Sequence, residues 1–419
     1  MRRIYLHKVK TQVARSNTIR SINKRIVLNY VREREPISRA EIAKETALQR
    51  STVSSLVTSL VDEGFIEEIG AGESSGGRKP TMLQLRRNQP IAVGVDITPT
   101  VTTVAVADLA GTILDQEIFE TSPDKSETFA RIAASLQKFK PKFAGDSIEI
   151  GVSVPGLVDE TSGTVTYVPY FKWKNWNLKH ELQQAFGFPV VIDNDANAIA
   201  LAEAWFGTPE VRGVKNFVSV LIAEGIGTGI IFEGQIYRGN KGAAGEFGHM
   251  VVGAHSDVAC SCGSVQCWEA YASNKATIFR YNKLKNNELK NDELKNKEPK
   301  NNESKHGGLQ NGAFADINEI IAAAVADEHA ARKAIAETTR YIALGIVNLI
   351  VGLSPEMIVI SGKIASIWHL IEPQLHETIE DNIKQKLPPL KITASTLGET
   401  PTVTGAIGLS LIHKFASAV

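Results

Sequence analysis

The sequence predicts an α/β protein that carries a separate helical module at its N-terminus. Apolar patterns typical of strands and helices alternate over more than 300 residues after position 90. The residues before that position predict short helices followed by a hairpin. At roughly 100–200 residues per domain, the 419 residues, of which 43% are hydrophobic and 22% charged, suffice for two to four domains with large cores.

We expect a cytoplasmic protein without a membrane partner. No stretch reaches the roughly 18 consecutive apolar residues of a membrane helix, and the basic segment Met1–Lys8 is not followed by the apolar core of a signal peptide. The three cysteines, at positions 260, 262 and 267, lie close together. This clustering favours a metal site in a reducing compartment over a disulfide framework.

The zero net charge conceals an asymmetry between the two parts. Residues 1–90 hold 17 Lys and Arg against 9 Asp and Glu, a net charge of +8. The whole chain holds 46 of each, so residues 91–419 hold 29 against 37, a net charge of −8. A basic block on an acidic body indicates a module that binds a polyanion, although charge alone equally fits a solvated basic face.

The N-terminal part predicts a helix-turn-helix. Apolar spacing predicts a helix over 17–34, and a capping box of Ser38 and Glu41 opens the next helix, Arg39–Thr46. After a short turn, a third helix runs to Gly64. Its polar face suits DNA contacts, because small hydroxyls and a leading arginine can reach phosphates and base edges. The candidates on it are Arg50, Ser51, Thr52, Ser54 and Ser55.

A wing completes the module, which we place at residues 1–87. The strands Phe65–Ile69 and Thr81–Leu85 flank a glycine-rich segment that ends in Gly76-Gly77-Arg78-Lys79-Pro80. This segment resembles hooks in which an arginine enters a narrow A·T minor groove, so Arg78 and Lys79 are further DNA candidates. A protein–protein adaptor of three helices is the alternative, and the helices and basic wing together favour DNA.

The remainder predicts α/β layers in two lobes. After a hairpin-like start at 91–110, the predicted strands are Ile148–Val154, Pro189–Ile192, Phe217–Ile222, Thr228–Phe232 and Met357–Ile360. The predicted helices are Ser126–Phe139, Leu178–Phe186, Ala196–Phe206, Asp316–Ala326, Ala330–Val351 and Leu370–Gln385. Residues 282–312 repeat a Lys/Asn/Glu/Leu unit, which predicts a disordered or loosely helical surface insertion, inert or partner-binding.

The strongest chemical motif combines one histidine with the three cysteines. Three thiolates and one imidazole form a closed tetrahedral set for zinc, and a closed set indicates a structural ion. We therefore predict structural Zn²⁺ on His249, Cys260, Cys262 and Cys267. Three buried cysteines without a metal are the alternative.

Two further segments are ambiguous by themselves. Asp193-Asn194-Asp195 ends a predicted strand just before a helix, where carboxylates and amides can bind sugar hydroxyls or simply cap the helix. Glu224-Gly225-Ile226-Gly227-Thr228-Gly229 is a glycine-rich turn that could cradle a phosphate or form a tight hairpin.

Taken together, these motifs resemble the ROK family (repressors, open reading frames, kinases). The resemblance rests on Gly245-Glu246-Phe247-Gly248-His249, the cysteine loop, Glu269 and Asn194-Asp195, and it covers about residues 90–419. The appended winged module matches the family's repressor branch. The resemblance implies an actin-like, ribonuclease-H-type domain over 88–419, with a small lobe at about 88–200 plus a C-terminal segment and a large lobe at about 201–395.

The resemblance also implies roles for particular residues. Sugar would lie between the lobes, and the positions that match the family's sugar contacts are Gly156, Asn194, Asp195, Glu246, His249 and Glu269. Asp195 matches the general base of the family's kinases. Trp173 and Trp176 lie where the family has a substrate loop, and they could stack on a sugar or pack within a lobe.

This sequence departs from the family's kinases at the phosphate loop. Those kinases have Asp-Ile-Gly-Gly-Thr, whereas this chain has Asp96-Ile97-Thr98-Pro99-Thr100, which adds bulk and removes an N–H donor. The glycine pair expected near adenosine is Ser361-Gly362, and Gln266 replaces a usual glycine in the cysteine loop. We expect ATP binding and kinase activity to be lost and the sugar pocket to survive.

The sequence therefore predicts a sugar-responsive repressor of carbohydrate genes. We expect it to bind operator DNA as a homodimer or homotetramer and to be released by a small sugar effector. The alternatives are an ATP-dependent sugar kinase of the same family and a DNA-binding protein whose vestigial cleft binds only a protein partner.

Overall fold

The computed structural model describes residues 16–72, 79–143, 148–295 and 316–417. The predicted winged helix-turn-helix is present at the N-terminal end. Its elements are α1 (Ser16–Arg34), β1 (Ile37–Ser38), α2 (Arg39–Thr46), α3 (Arg50–Asp62), β2 (Ile66–Ala71) and β3 (Thr81–Leu85).

Local chemistry accounts for the sharp turn between α2 and α3. The capping box predicted at the start of α2 forms, with the Ser38 hydroxyl accepting from the Glu41 amide and Glu41 accepting from the Ser38 amide at 2.8 Å. Ala47 then adopts a left-handed conformation with φ of 56°, which ends α2 and redirects the chain. The wing strands pair in the order β1-β3-β2, and residue 78 of the predicted hook lies outside the described residues.

A five-stranded mixed sheet forms the first layer of the body, in the order β11-β7-β4-β5-β6. Strands β4, β7 and β11 are parallel, so their carboxyl ends meet at one edge. The elements of this half are β4 (Ala92–Ile97), β5 (Val101–Ala107), β6 (Ile113–Glu120), α4 (Lys125–Phe139), β7 (Glu149–Val154), β8 (Leu157–Asp159), β9 (Thr164–Val168), β10 (Trp173–Trp176), α5 (Leu178–Phe186), β11 (Val190–Asn194) and α6 (Asp195–Phe206).

A second five-stranded sheet, ordered β14-β13-β12-β15-β16, forms the other half of the body. Its elements are α7 (Pro209–Arg212), β12 (Phe217–Ile222), β13 (Ile226–Phe232), β14 (Gln235–Ile236), α8 (Trp268–Ala272), α9 (Asn274–Lys295), α10 (Ile317–Val325), α11 (His329–Leu353), β15 (Met357–Ser361), α12 (Trp368–Asn382) and β16 (Lys391–Ala394). The last helix, α13 (Pro401–Ser417), returns to pack on the first sheet and on α6.

Helix α11 is the one described helix long and apolar enough, by length and composition alone, to cross a membrane. Its most apolar 18-residue window is 56% buried inside the protein. Ile342, Ile346 and Leu349 lie on that buried side, in the core of the second half. The packing is therefore that of the central helix of a folded core.

The structure bears on two further alternatives that the sequence left open, the role of the two tryptophans and the conformation of the Lys/Asn-rich segment. Trp173 and Trp176 are 5% and 2% exposed in the core of the first half, so they pack within the lobe. The start of the Lys/Asn-rich segment continues α9 as far as Lys295, in agreement with a loose helix, and residues 296–315 lie outside the described part.

Candidate functional site

A cleft between the two halves of the body contains all six residues expected to contact sugar. It is lined by Gly156, Asn194, Asp195, Glu246, His249 and Glu269 among others. The cleft is open to solvent and lies between the two sheets, where ligand sites are common. The fold therefore collects these residues, which are spread over 114 positions of the sequence, at one site.

The first wall of the cleft is the N-terminus of α6. Asn194 caps the helix, since its Oδ1 accepts from the amides of Ala196 and Asn197 at 2.9 and 3.3 Å. Its Nδ2 donates to the carbonyl oxygen of Gly156 at 3.1 Å and so ties α6 to the loop after β7. The cap leaves the neighbouring Asp195 carboxylate at the cleft, with one oxygen on the Ala196 amide at 2.8 Å.

Gly156 makes this close approach possible. A Cβ at this position would lie 2.3 Å from the carbonyl oxygen of Tyr167, so any larger residue would push the loop out of place. The loop after β7 therefore presents backbone to the cleft.

The opposite wall combines the glycine-rich turn with Glu246, His249 and Glu269. The turn is a hairpin, because Ile222 pairs with Ile226 across β12 and β13. Glu269, which is 6% exposed, accepts from the amides of Ile226 at 3.3 Å and Ser261 at 2.6 Å. It therefore fastens both the hairpin and the cysteine loop to the floor of the cleft.

His249 links the cleft to the cysteine cluster. Its Nε2 lies 3.4 Å from Oε2 of Glu246 at the cleft, and its Nδ1 lies 3.2 Å from Sγ of Cys260. The four candidate ligand atoms of His249, Cys260, Cys262 and Cys267 lie within 4.8 Å of one another. Thiolate and imidazole at such separations are the donor set and spacing of a tetrahedral metal site.

The cysteine loop itself is well defined without a disulfide. All three cysteines are free thiols, and Sγ of Cys262 lies 3.6 Å from Sγ of Cys267. The glycine-to-glutamine departure is accommodated, because Gln266 is not among the residues with positive φ and its amide side chain donates to the carbonyl oxygen of Ala254 at 3.0 Å.

Burial and neighbouring carboxylates raise the pKa values of two acidic groups in the cleft, Asp195 and Glu246. Burial raises the pKa of Asp195 to about 7; the Ala196 hydrogen bond opposes this, and the charges of Asp96 and Glu246 add to it. Burial likewise raises the pKa of Glu246, which His249 lowers in part. A carboxyl group with a pKa near neutrality can accept a hydrogen bond from a sugar hydroxyl in one form and donate in the other.

The sequence analysis did not identify Tyr170 as a residue of the site, and it assigned no sugar contact to Glu224 or Ser261, which also line the cleft. A Cβ on Gly225 would lie 2.5 Å from both the Tyr170 hydroxyl and Oε2 of Glu269, so the phenol reaches the hairpin wall of the cleft. Burial and the nearby charges of Glu269 and Asp195 raise the pKa of Tyr170. Tyr170 follows β9, a strand that the sequence analysis did not predict, and it belongs to no motif. The sequence analysis instead considered Trp173 and Trp176, a few residues further along the chain, as candidates for stacking on a sugar, and both are buried in the core.

The turn Thr98-Pro99-Thr100 between β4 and β5 is closed on itself. The Thr98 hydroxyl accepts from the Val101 amide at 3.0 Å and donates to the Val101 carbonyl oxygen at 2.7 Å, and Pro99 has no N–H. Below it, Asp96 is 2% exposed and accepts from the hydroxyls of Ser153 and Thr402 at 2.5 and 2.6 Å. Burial raises the pKa of Asp96 to about 6 although both bonds lower it.

The predicted DNA-binding face of α3 is on the surface. Arg50, Ser51, Ser54 and Ser55 are exposed and Thr52 is half-buried, while the opposite face of the helix packs in the module's core. Lys79 is exposed at the base of the wing. The arrangement leaves the second helix of the motif free to enter a groove, as helix-turn-helix proteins require.

Comparisons with known proteins agree with this architecture. A sequence model of the ROK family matches residues 92–413, and one of the MarR family matches residues 21–75. The xylose repressor of Caldicellulosiruptor bescii is 32% identical over 93% of this chain and 96% of its own length. The Escherichia coli dual regulator NagC is 29% identical over 64% of this chain and 66% of its own length.

Solved structures give the same result. A ROK family transcriptional regulator, described as a homologue of the E. coli Mlc protein, has a TM-score of 0.71 at 27% identity over 95% of this chain and 99% of its own. A ROK glucokinase from Streptomyces griseus, bound to glucose and AMPPNP, has a TM-score of 0.65 at 27% identity over 76% and 98%.

The fold and cleft define an actin-like, two-lobed domain of the sugar-kinase type, joined to a winged helix-turn-helix. The chain belongs to the ROK family.

Proposed function

We propose that this protein is a transcriptional repressor that binds operator DNA through α3 and the wing and releases it when a sugar occupies the cleft. The observation that carries this proposal is a cleft rich in hydrogen-bond acceptors for hydroxyls, in the same chain as an exposed recognition helix. Relatives named xylose repressor and N-acetylglucosamine repressor support it. A homodimer or homotetramer in the cytoplasm would read a repeated operator.

The chemistry of the cleft favours an unphosphorylated sugar. Among the described residues that line it there are four carboxylates, Asp195, Glu224, Glu246 and Glu269, and neither lysine nor arginine. The places where proteins usually bind anions are already used: the α6 N-terminus by Asn194 and Asp195, and the hairpin and cysteine-loop amides by Glu269. A phosphate group would meet like charges, whereas sugar hydroxyls would find acceptors. D-xylose is the first candidate, after the names of the relatives.

We further propose that the kinase reaction is lost. The amides of Thr98, Thr100 and Val101 are all bonded within the turn, and Pro99, which lines the cleft, adds bulk without a donor. In the buried Asp96 both oxygens are held by hydroxyls. Asp195 would then bind a sugar hydroxyl, but no nucleotide would be present to supply the phosphoryl group that a kinase transfers to that hydroxyl.

The His249 and cysteine ligands fit a structural zinc ion. The donor set of one nitrogen and three sulfurs, with mutual separations within 4.8 Å, suits tetrahedral Zn²⁺ and leaves no open position for catalysis. A bound ion would supply rigidity to the loop that carries Ser261. Because its Nδ1 would be a ligand, His249 would keep Nε2 facing the cleft.

Calorimetric titration tests the proposal directly. Purified protein is titrated with D-xylose, D-glucose, N-acetylglucosamine, the 6-phosphates of the two hexoses and ATP. We expect one neutral sugar to bind and ATP not to bind. The affinity of the Asp195→Asn variant for that sugar should be roughly 10- to 100-fold lower than that of the wild type, because a charge-assisted hydrogen bond is lost. Binding of a phosphorylated sugar alone would refute the preference for neutral sugars, and steady ADP formation with sugar and ATP would refute the loss of the kinase reaction.

A further inference from the structure

Two helices of the body run from the sugar cleft to the DNA-binding module. Helix α6 begins at Asp195 in the cleft, and its last turn carries Trp205, which meets Arg32 of the module. Helix α13 begins near Asp96, which accepts from Thr402, and ends with Phe415, which is 2% exposed. At 1.5 Å per residue, α6 spans about 18 Å and α13 about 25 Å.

The two helices pack against each other at small residues. A Cβ on Gly405 would lie 3.0–3.1 Å from the backbone and side chain of Ala198, which is tighter than an ordinary contact, and one on Gly408 would meet Ala202 at the ordinary distance of 3.4 Å. Because protein interiors are close-packed and transmit strain, we expect a shift at the cleft end of α6 to carry α13 with it.

At the far end, one side chain of each helix meets the module. The Trp205 ring lies under the Arg32 guanidinium of α1, with 3.6 Å from the guanidinium carbon to the ring centroid, and Arg32 donates to the Trp205 carbonyl oxygen at 3.3 Å. On its other side, Trp205 contacts Phe415 edge-on, with centroids 5.0 Å apart. Phe415 in turn contacts Phe65, the residue before the wing strand β2, at 6.2 Å.

This junction contains two buried donors that have no hydrogen-bond partner among the described residues. They are Nε of Arg32 and Nε1 of Trp205. Buried polar groups are nearly always paired, so an unpaired couple marks a contact that is not optimised for stability in this arrangement. A second arrangement of the module that pairs either donor would compete with this one.

We propose that the Arg32–Trp205 contact is the coupling point of the repressor. In this role Arg32 and Trp205 are positioning residues: the sugar-free arrangement of α6 and α13 holds α1 through this contact, and closure of the cleft around a sugar shifts Trp205 and releases the module from its DNA-binding orientation. Neither residue touches sugar or DNA.

The test compares Arg32→Met with Arg34→Met, the same change on the exposed side of the same helix. Operator affinity is measured by fluorescence anisotropy with and without the sugar, and sugar affinity by calorimetry. For Arg32→Met we expect sugar affinity within about twofold of wild type and a sugar-induced change in operator affinity at least ~5-fold smaller, since allosteric couplings commonly amount to 5–150-fold. Arg34→Met should keep the wild-type change.

Trp205→Phe supplies a second, spectroscopic readout. The chain has 5 tryptophans, and we expect the sugar-induced change in tryptophan emission to disappear in this variant while sugar binding persists. Arg32→Lys, which keeps the cation over the ring, should restore at least half of the coupling lost in Arg32→Met.

The proposed role rests on the proposed function, and the two fail differently. A wild-type protein whose operator affinity does not respond to sugar would refute the function itself. A responsive wild type together with an Arg32→Met variant that responds equally would refute the coupling point alone. Loss of sugar-free operator binding in both Arg32→Met and Arg32→Lys would also refute it, because the contact would then be structural.

Discussion

Asp195 combines two demands in one side chain. One carboxylate oxygen completes the N-terminus of α6 through the Ala196 amide, and the group as a whole lies in an acidic, poorly solvated cleft that raises its pKa to about 7. In the unfolded chain an aspartate titrates near its ordinary value of about 3.9. The folded protein therefore binds a proton here that the unfolded chain does not bind between about pH 4 and 7.

This difference predicts how stability depends on pH. As pH rises from 5 to 8, the free energy of unfolding should fall, because the charged form of Asp195 is disfavoured in the fold. The Asp195→Asn variant keeps the hydrogen-bond acceptor and has no charge, so its free energy of unfolding should fall less over this range. The difference between the fall of the wild type and that of the variant should be about 2 kcal/mol after allowance for solvent screening. Urea unfolding at both pH values measures the difference.

The control for this prediction is Asp381→Asn, at a carboxylate whose side chain is 74% exposed. That variant should follow the wild-type pH profile. Parallel profiles for Asp195→Asn and wild type would show that the cleft does not penalise the Asp195 charge.

At the residue level, the sequence led to the cleft because its motifs are local. Glu246 and His249 lie in one short run, and Asn194 with Asp195 in another, so each pair was recognisable before the fold was known. Tyr170 was not recognisable, because only the path of the loop after β9 brings its hydroxyl and the Glu269 carboxylate to the same position beside Gly225. Whether these residues bind sugar stays a prediction.

Among the elements, helices with one apolar face and clear caps were predicted within one or two residues. The last helix, α13, was missed. It carries glycines at 405 and 408 and is buried on several sides, so it shows neither a high helix propensity nor a single apolar stripe. The edge strand β6 was missed because its exposed polar residues obscure the alternation that indicates a strand.

The loop of residues 255–267 should depend on its metal. Cys262→Ser removes one ligand without touching the cleft, since Cys262 is exposed and does not line it. We expect zinc content, measured by plasma mass spectrometry, to fall from one ion per chain to near zero. Sugar affinity should fall by about tenfold, because the loop orders the amide of Ser261 that Glu269 accepts from.

Asp257→Asn is the matched control in the same loop, since it breaks only a surface ion pair with Lys283. It should keep both zinc and sugar affinity. Full zinc occupancy in Cys262→Ser would exclude that thiol as a ligand.

Helix α3 should contribute charge as well as shape to DNA binding. Arg50 is exposed at its first turn, where it can reach a phosphate. Arg50→Ala should weaken binding to all DNA sequences and reduce the slope of log affinity against log salt by about 0.9, the value for one released counterion. Salt titrations by anisotropy measure this, with Lys386→Ala on the body as the control. An unchanged slope would place Arg50 away from the phosphates.

For the molecule as a whole, two helices, α6 and α13, connect the cleft of the ROK domain to the winged helix-turn-helix module. The charge asymmetry of the sequence predicted a basic N-terminal module on an acidic body, and the family motifs predicted that the body has two lobes. The junction between them could not be anticipated, because it depends on contacts between residues as distant as Arg32, Trp205 and Phe415. Such contacts carry no local pattern.

The central claim is that a sugar controls DNA binding by this protein. Its most direct test is to select a preferred duplex from a random DNA library and to titrate the bound complex with D-xylose and the other neutral sugars, following release by anisotropy. We predict that one neutral sugar weakens operator binding at least tenfold, within the usual range of allosteric coupling of about 5–150-fold. The contradicting result is a sugar that binds by calorimetry but leaves the operator affinity unchanged at saturating concentration.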